Sequence, residues 1–123
     1  MILDGSIKTN RIAGAKIIKN AGPLEFLRLV RDAAFVVTTS FHGTAFSLNF
    51  EIPFFSILND DLKGDTRMLD LLKAVGAEDR ALIYNAPVVE TPMNMDFRLV
   101  TPQLDKYRKE SSHYLDVILQ QCL

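Results

Sequence analysis

Five consecutive residues of this 123-residue chain are suited to binding an anion and moving a proton: Ser40, Phe41, His42, Gly43 and Thr44. Serine and threonine hydroxyls donate hydrogen bonds, and a histidine can donate to an anion when protonated or accept a proton when neutral. A glycine has no Cβ and therefore lets the backbone approach a ligand closely. Together these residue types predict a site for a phosphate or carboxylate group at which proton transfer can also occur.

The segment around this motif, residues 35–58, has the pattern of a strand, a turn, a helix and a second strand. Its first three residues are aromatic or β-branched, which favours a buried strand. A helix is predicted from about residue 44 to residue 49, capped by Thr44 and stopped by Pro53, and residues 54–58 resume as a strand. Two strands joined through a helix predict a parallel βαβ unit, whose first loop is the usual place for a ligand. The motif lies in that loop.

The predicted turn would expose backbone N–H groups at the positive end of a helix dipole, an arrangement that attracts anions. Arg67 falls in the first turn of a later predicted helix, where the dipole does not favour a cation, and a role in anion binding would explain its position. Both signals have an ordinary alternative. His42 could serve only to cap its helix, and Arg67 could pair on the surface with Asp65 or Asp70.

Apolar spacing and turn residues predict the other elements of the chain. They are a short strand at residues 16–19, a helix from residue 23 to about 33, a helix from residue 66 to about 75, a strand at residues 81–84 and a helix at residues 102–121. Alternating strands and helices predict an α/β fold, a three-layer Rossmann-like parallel sheet with flanking helices. Residues 1–15 show no sustained pattern, and we assign residues 1–22 to an irregular amino-terminal segment that precedes one domain at residues 23–123.

The composition is that of a soluble globular protein, with 48% hydrophobic and 24% charged residues. The 14 basic and 15 acidic residues give a net charge of -1, which does not indicate a nucleic-acid partner. No apolar run reaches the roughly 20 residues that span a bilayer, and the amino terminus lacks a secretion signal, so we expect a cytoplasmic protein without a transmembrane segment. The single cysteine, Cys122, allows no internal disulfide and agrees with a reducing compartment.

Two further features have both a structural and a functional interpretation. Asp60 and Asp61 follow the second strand of the βαβ unit, but adjacent side chains point in different directions and no third ligand has a recognisable spacing. A solvated loop is therefore favoured over a metal site, and we expect no cofactor. The last predicted helix carries an apolar stripe that should dock on the sheet or on a missing neighbour, with Cys122 buried or packed against a partner and His113 at the surface.

The run TTSFHGTAFS at residues 38–47 is hard to explain by composition, and it resembles a motif of the polysaccharide pyruvyl transferase family. The resemblance covers roughly residues 23–120 and is to the carboxyl-terminal half of that family. Its less specific parts are PLEFL at residues 23–27, Pro53-Phe54, Arg67 with Leu71-Leu72, EDR at residues 78–80 and the helix at residues 111–119.

The resemblance implies an enzyme that transfers the pyruvyl group of phosphoenolpyruvate to two hydroxyls of a sugar in a cell-surface polysaccharide, forming a cyclic ketal and releasing phosphate. It also implies one of two Rossmann-like halves that face a shared cleft, as in glycosyltransferases of the GT-B kind. The family's histidine maps onto His42 as a catalytic residue. Some members carry an arginine where this chain has Ser40, which increases the interest of Arg67. Substrate-binding roles are assigned to Ser40, Phe41, Gly43, Thr44 and Arg67.

Two other interpretations stay open beside this one. A nucleotide-sugar glycosyltransferase half-domain would place a diphosphate at the same strand ends, because it shares the architecture. A catalytically silent binding or assembly domain would need no complete cleft, whereas an active enzyme needs a second half that 123 residues cannot hold. In the favoured interpretation the chain is inactive alone, and its partners are phosphoenolpyruvate, a glycan acceptor and either a missing amino-terminal half or a second copy of the chain.

Overall fold

The computed structural model describes residues 2–3, 13–59, 66–87 and 90–123 of the chain. Two parallel sheets lie within these ranges. In the smaller sheet, strand β1 (Ile2–Leu3) pairs with strand β2 (Ile17–Ile18). The main sheet contains, in spatial order, β3 (Val36–Thr38), β4 (Phe54–Leu58) and β5 (Ala81–Ile83).

The described residues contain four α-helices. They are α1 (Pro23–Arg31), α2 (Phe41–Asn49), α3 (Arg67–Val75) and α4 (Phe97–Cys122), with a short 3-10 helix at Glu78–Arg80. α2 leads from β3 to β4 and α3 leads from β4 towards β5, so each pair of adjacent parallel strands is joined through a helix. The chain therefore has an α/β fold with a Rossmann-like parallel sheet flanked by helices, which confirms the predicted fold class.

One face of β4 is the centre of the hydrophobic core. Its side chains alternate, because Phe54, Ser56 and Leu58 are buried whereas Phe55 and Ile57 on the opposite face are only half-buried. The buried core residues are Leu48, Phe54, Leu58, Met68, Leu72, Val75, Ala77, Val100 and Leu104. They come from β4, α2, α3, the beginning of α4 and the segment directly after α3.

The predicted start of α1 and end of α3 are confirmed. Pro23 occupies the first turn of α1, where its fixed φ suits a helix start, and Glu25 places a negative charge at the positive end of the same helix. Gly76 ends α3 with a φ of 71°, in the left-handed region that glycine adopts without strain. The predicted strands at residues 16–19 and 81–84 are present as the slightly shorter β2 and β5.

The predicted start of the last helix at Pro102 is wrong, because α4 begins at Phe97. The Asp96 side chain caps the helix by accepting a hydrogen bond from the Arg98 N–H at 3.0 Å. Val100 is buried in the core, so the turn before the proline is held by packing as well as by the cap. Pro102 lies inside α4 rather than in its first turn, so it removes the backbone hydrogen bond that a residue with an N–H would donate to the Arg98 carbonyl.

Most of α4 has no cover within the described residues. Leu104 is 5% exposed, but the later apolar side chains Tyr114, Leu115 and Leu119 are 66%, 57% and 59% exposed. Cys122 is also exposed, so its predicted burial within the chain is wrong. The apolar stripe thus docks on the rest of the chain only at its beginning. None of the described helices combines the length and the apolar character needed to cross a membrane.

Truncation of a core side chain tests the packing around β4. We expect Leu72→Ala to lower the free energy of unfolding by about 2–5 kcal/mol, because Leu72 is fully buried and the substitution leaves a cavity. Leu24→Ala is the matched control, and it should change stability by less than about 0.5 kcal/mol because Leu24 is 71% exposed. Urea unfolding of both variants measures the difference, and equal losses would contradict this core.

The cap of α4 should be sensitive to acid. Hydrogen bonds from the Arg98 side chain and backbone lower the pKa of Asp96 to about 2. Because this pKa lies below the unfolded value of about 3.9, the stabilisation is complete above that pH and is lost as the pH falls towards 2. We expect the Asp96 carboxyl carbon to titrate near 2 by NMR and Arg98→Ala to raise the midpoint. An unchanged midpoint in that variant would contradict the contact.

Candidate functional site

The motif at residues 40–44 lies where β3 ends and α2 begins. Ser40 has an extended backbone and is the cap of α2, since its Oγ accepts a hydrogen bond from the Gly43 N–H at 3.4 Å. The helix starts at Phe41, three residues earlier than predicted, so residues 41–43 form its first turn rather than a loop. The predicted cap, Thr44, is wrong for the same reason. The motif therefore presents a helix N-terminus at the carboxyl edge of the sheet.

The hydroxyls of Thr38 and Ser40 both accept hydrogen bonds from backbone N–H groups. The Ser40 N–H donates to Thr38 Oγ1 at 3.0 Å, and the Gly43 N–H donates to Ser40 Oγ. A hydroxyl that accepts in this way keeps its own proton for a further partner. Thr38 was not among the predicted site residues, although a threonine two residues before a helix cap is a common source of such local bonds.

Gly43 is required for the close approach of α2 to β3. A Cβ placed on this residue would lie 2.4 Å from Thr38 Oγ1, which is far inside van der Waals contact. Gly43 is itself buried, so the space that the missing side chain leaves is occupied by Thr38. The sequence predicts that Gly43 lets a ligand come close to the backbone. In the structure Gly43 instead lets α2 come close to β3.

Thr44 is fully buried below the first turn of α2. Its Oγ1 donates to the Ser40 carbonyl at 3.2 Å and lies 2.6 Å from Ser56 Oγ. The Thr44 side chain is thus engaged inside the fold, where it links the helix to β4. Ser56 was also missed from the sequence, because a lone serine in a strand of apolar residues carries no recognisable signal.

The His42 ring is exposed on the first turn of α2. It lies edge-on to Phe41, with ring centroids 6.0 Å apart, and it neighbours Phe46 at 6.4 Å. Phe46 in turn contacts Phe26 of α1 at 6.0 Å, so aromatic packing supports this side of the helix. Within the described residues the imidazole makes no hydrogen bond, and the His42 side chain is exposed to solvent.

The structure brings Arg67 to the same motif. Arg67 is the first residue of α3, and its guanidinium carbon lies 5.7 Å from the centre of the Phe41 ring, within the range of a cation–π contact. α3 follows β4 as α2 follows β3, so both helices begin at the carboxyl edge of the parallel sheet. Two helix N-termini, a guanidinium and an imidazole thus lie at one edge, where they favour an anion.

An apolar groove of about 350 Å³ adjoins this edge through Phe41. It lies between α2 and α4, with Leu71 of α3 in its wall. Its other lining residues are Ala45, Leu48, Asn49, Leu104, Tyr107, Arg108, Ser111, Ser112 and Leu115. An Arg108 to Asn49 hydrogen bond and a 2.6 Å hydrogen bond from Thr101 to Glu51 hold α4 against the carboxyl-terminal end of α2.

No group of three or more histidine, cysteine or acidic side chains is placed to hold a metal ion in residues 13–59, 66–87 and 90–123. Asp60, Asp61 and Asp65 lie outside the described residues. The chemical groups at this edge include hydrogen-bond donors, an imidazole and a guanidinium.

Comparison with known families agrees with the resemblance read from the motif. Residues 3–61 match the family model described as polysaccharide pyruvyl transferase. The matched segment runs through β2, α1, β3, α2 and β4, so it contains the whole of residues 38–47 and confirms the resemblance there. Arg67 and α4 lie beyond it. No curated protein and no solved structure matches the chain.

Adding one methyl group at Gly43 tests the close approach of α2 and β3. We expect Gly43→Ala to destabilise the protein by about 1–3 kcal/mol, because the new Cβ would overlap Thr38 Oγ1. Gly22→Ala should have a smaller effect, since nothing lies within 4 Å of its added Cβ. Thermal unfolding of both variants measures this. Adding Thr38→Ala should restore part of the loss, and a Gly43→Ala protein of wild-type stability would contradict the geometry.

Proposed function

We propose that this chain, whose residues 3–61 match the polysaccharide pyruvyl transferase family, binds phosphoenolpyruvate as the donor half of a pyruvyl transferase. In this proposal the pyruvyl group passes to two hydroxyls of a sugar in a cell-surface polysaccharide. The observation that carries the proposal is the meeting of His42, Arg67 and the first turn of α2 at one edge of the parallel sheet. Ligands bind at this edge in open α/β sheets.

Phosphoenolpyruvate carries a phosphate and a carboxylate on the same carbon, and the edge offers positive groups for both. The N–H groups of Phe41 and His42, together with the hydroxyls of Ser40 and Thr38, can donate to one anionic group. Arg67, held over the Phe41 ring, can neutralise the other. In this position the Arg67 guanidinium compensates for the serine at position 40, where some members of the family carry an arginine.

The remaining motif residues act in this proposal through their place in the backbone. Gly43 lets α2 approach β3, so that the first turn of the helix faces the substrate. Thr44 contributes through the peptide group of Ser40, to which its buried hydroxyl donates. The predicted substrate-binding roles of Gly43 and Thr44 thus become roles in shaping the site, while Ser40 and Phe41 contact the donor directly.

The reaction needs one proton at carbon and two sugar hydroxyls. A proton adds to the methylene carbon of phosphoenolpyruvate, which becomes a methyl group and leaves a cationic centre at the adjacent carbon. The first hydroxyl attacks this centre and loses its proton. The bond from carbon to the phosphate oxygen then breaks, the second hydroxyl attacks and loses its proton, and the products are the cyclic ketal and phosphate. Both protons lost by the hydroxyls balance the one gained by carbon and the one taken by phosphate.

In this proposal His42 carries out the proton transfers. Its exposed imidazole lies on the same helical turn as the donors that would bind the phosphate. A histidine changes its protonation state near neutral pH, so it can deliver a proton to carbon in one step and accept one from a hydroxyl in the next. We assign His42 to donor binding and to proton transfer.

The acceptor sugar requires a second body facing this edge. The apolar side of α4 is exposed over its later turns, as expected for a helix that packs against another domain or chain. A second Rossmann-like half or a second copy of the chain would close the cleft in this proposal. The isolated chain should therefore bind phosphoenolpyruvate but not turn it over. Tight binding of a nucleotide sugar instead would favour the glycosyltransferase interpretation.

Replacement of His42 tests its assignment. In the complete enzyme we expect His42→Ala to lower kcat/KM for pyruvyl transfer by about 100- to 10,000-fold, the usual contribution of a general acid or base. His113→Ala is the matched control and should retain full activity, because His113 is an exposed histidine on α4 outside the motif. Transfer is measured as phosphate released in the presence of acceptor. Wild-type transfer and unchanged donor affinity in His42→Ala would refute the assignment.

A further inference from the structure

A pair of buried hydroxyl groups lies between the first turns of α2 and strand β4. Thr44 Oγ1 is 2.6 Å from Ser56 Oγ, and both side chains are completely inaccessible to solvent. Thr44 belongs to α2 and Ser56 to the central strand β4. The pair therefore joins helix to sheet within one helical turn of Ser40, the cap that opens the candidate site.

The direction of the hydrogen bonds follows from the number of protons available. Thr44 Oγ1 donates its only proton to the Ser40 carbonyl, which can only accept. The proton in the bond between the two hydroxyls must then come from Ser56. The Thr44 backbone N–H also donates to the Ser40 carbonyl, at 3.1 Å, so this oxygen receives two hydrogen bonds from the same residue.

Fixing the Ser40 carbonyl also fixes an N–H group of the site. This carbonyl and the Phe41 N–H belong to one planar peptide group, and in a trans peptide they point in opposite directions. The two bonds that hold the carbonyl towards the helix interior consequently direct the Phe41 N–H outwards from the helix N-terminus. Hydrogen bonds in series also polarise one another, which strengthens the donor at the end of the series.

We propose that Ser56 and Thr44 are positioning residues that hold the Ser40–Phe41 peptide with its N–H directed at the anionic group of the substrate. Ser56 donates to Thr44, Thr44 donates to the Ser40 carbonyl, and the Phe41 N–H donates to the ligand. This inference rests on the proposed function only in its choice of an anionic ligand. It assigns a positioning role to Ser56, which lies in β4 and acts on the ligand only through Thr44 and the Ser40–Phe41 peptide.

The double variant Thr44→Val with Ser56→Ala separates positioning from stability. It removes both hydroxyls, so no buried hydroxyl of the pair is left without a hydrogen-bond partner. Replacing both partners of a buried hydrogen bond by apolar groups is nearly neutral for folding. We expect its melting temperature to stay close to that of the wild type while its affinity for phosphoenolpyruvate, measured by calorimetry on the full chain, falls about tenfold. Thr44→Ser keeps the hydroxyl and should retain wild-type affinity.

Ser47→Ala is the matched control. Ser47 is also fully buried in α2, and its Oγ donates to the Gly43 carbonyl at 2.8 Å, which repeats the geometry of Thr44 three residues further from the helix start. The N–H of that peptide belongs to Thr44 and bonds within the helix, so Ser47→Ala removes a comparable bond without freeing an outward donor. Its affinity for phosphoenolpyruvate should be unchanged. Equal affinities of the double variant and the wild type would overturn the proposal.

A measurement without ligand keeps this inference separate from the proposed function. The amide nitrogen and proton shifts of Phe41 should change in the double variant and not in Ser47→Ala, because only the former removes one of the two hydrogen bonds to the Ser40 carbonyl. If the wild-type chain binds neither phosphoenolpyruvate nor inorganic phosphate, the proposed function fails while the shift change still supports the positioning role. A Phe41 amide with unchanged shifts in the double variant would overturn that role.

Discussion

The contact between the first turn of α2 and the ends of β3 and β4 is made by polar groups at very short range. Thr38 Oγ1 fills the space beside Gly43, and the Ser56 hydroxyl of β4 is hydrogen-bonded to Thr44. A buried hydroxyl is costly unless it is hydrogen-bonded, so these contacts tolerate little displacement of the helix. The direction in which the helix N-terminus points, and with it the whole arrangement of donors, depends on this contact.

The apolar core supports this contact from the same side of the sheet. Leu48 of α2 and Leu72 of α3 pack with Phe54 of β4, so both helices whose N-termini reach the carboxyl edge share one core with the central strand. A change in the core should therefore affect the position of Arg67 relative to Phe41. The candidate site is built at the N-termini of two successive helices, α2 and α3, each of which follows a strand of the main sheet.

The sequence predicts the order of the main elements because apolar spacing, Pro23 and Gly76 are local signals. It predicts the location of His42 for the same reason, since the motif is continuous in the chain. The start of α2 was misplaced because Ser40, rather than Thr44, provides the cap. The partnership of Thr44 with Ser56 joins residues that are distant in sequence, and the nearness of Arg67 to Phe41 depends on how two helices pack; neither leaves a local pattern.

The later turns of α4 have few tertiary contacts, which has a thermodynamic consequence. A helical segment of this length is only marginally stable in water on its own, because nucleation is costly and most helical stability in proteins comes from packing. The order of these turns is therefore linked to whatever covers them, and a partner that binds there stabilises helix and contact at once. Amide hydrogen exchange in these turns should proceed by local opening, well below the free energy that protects β4.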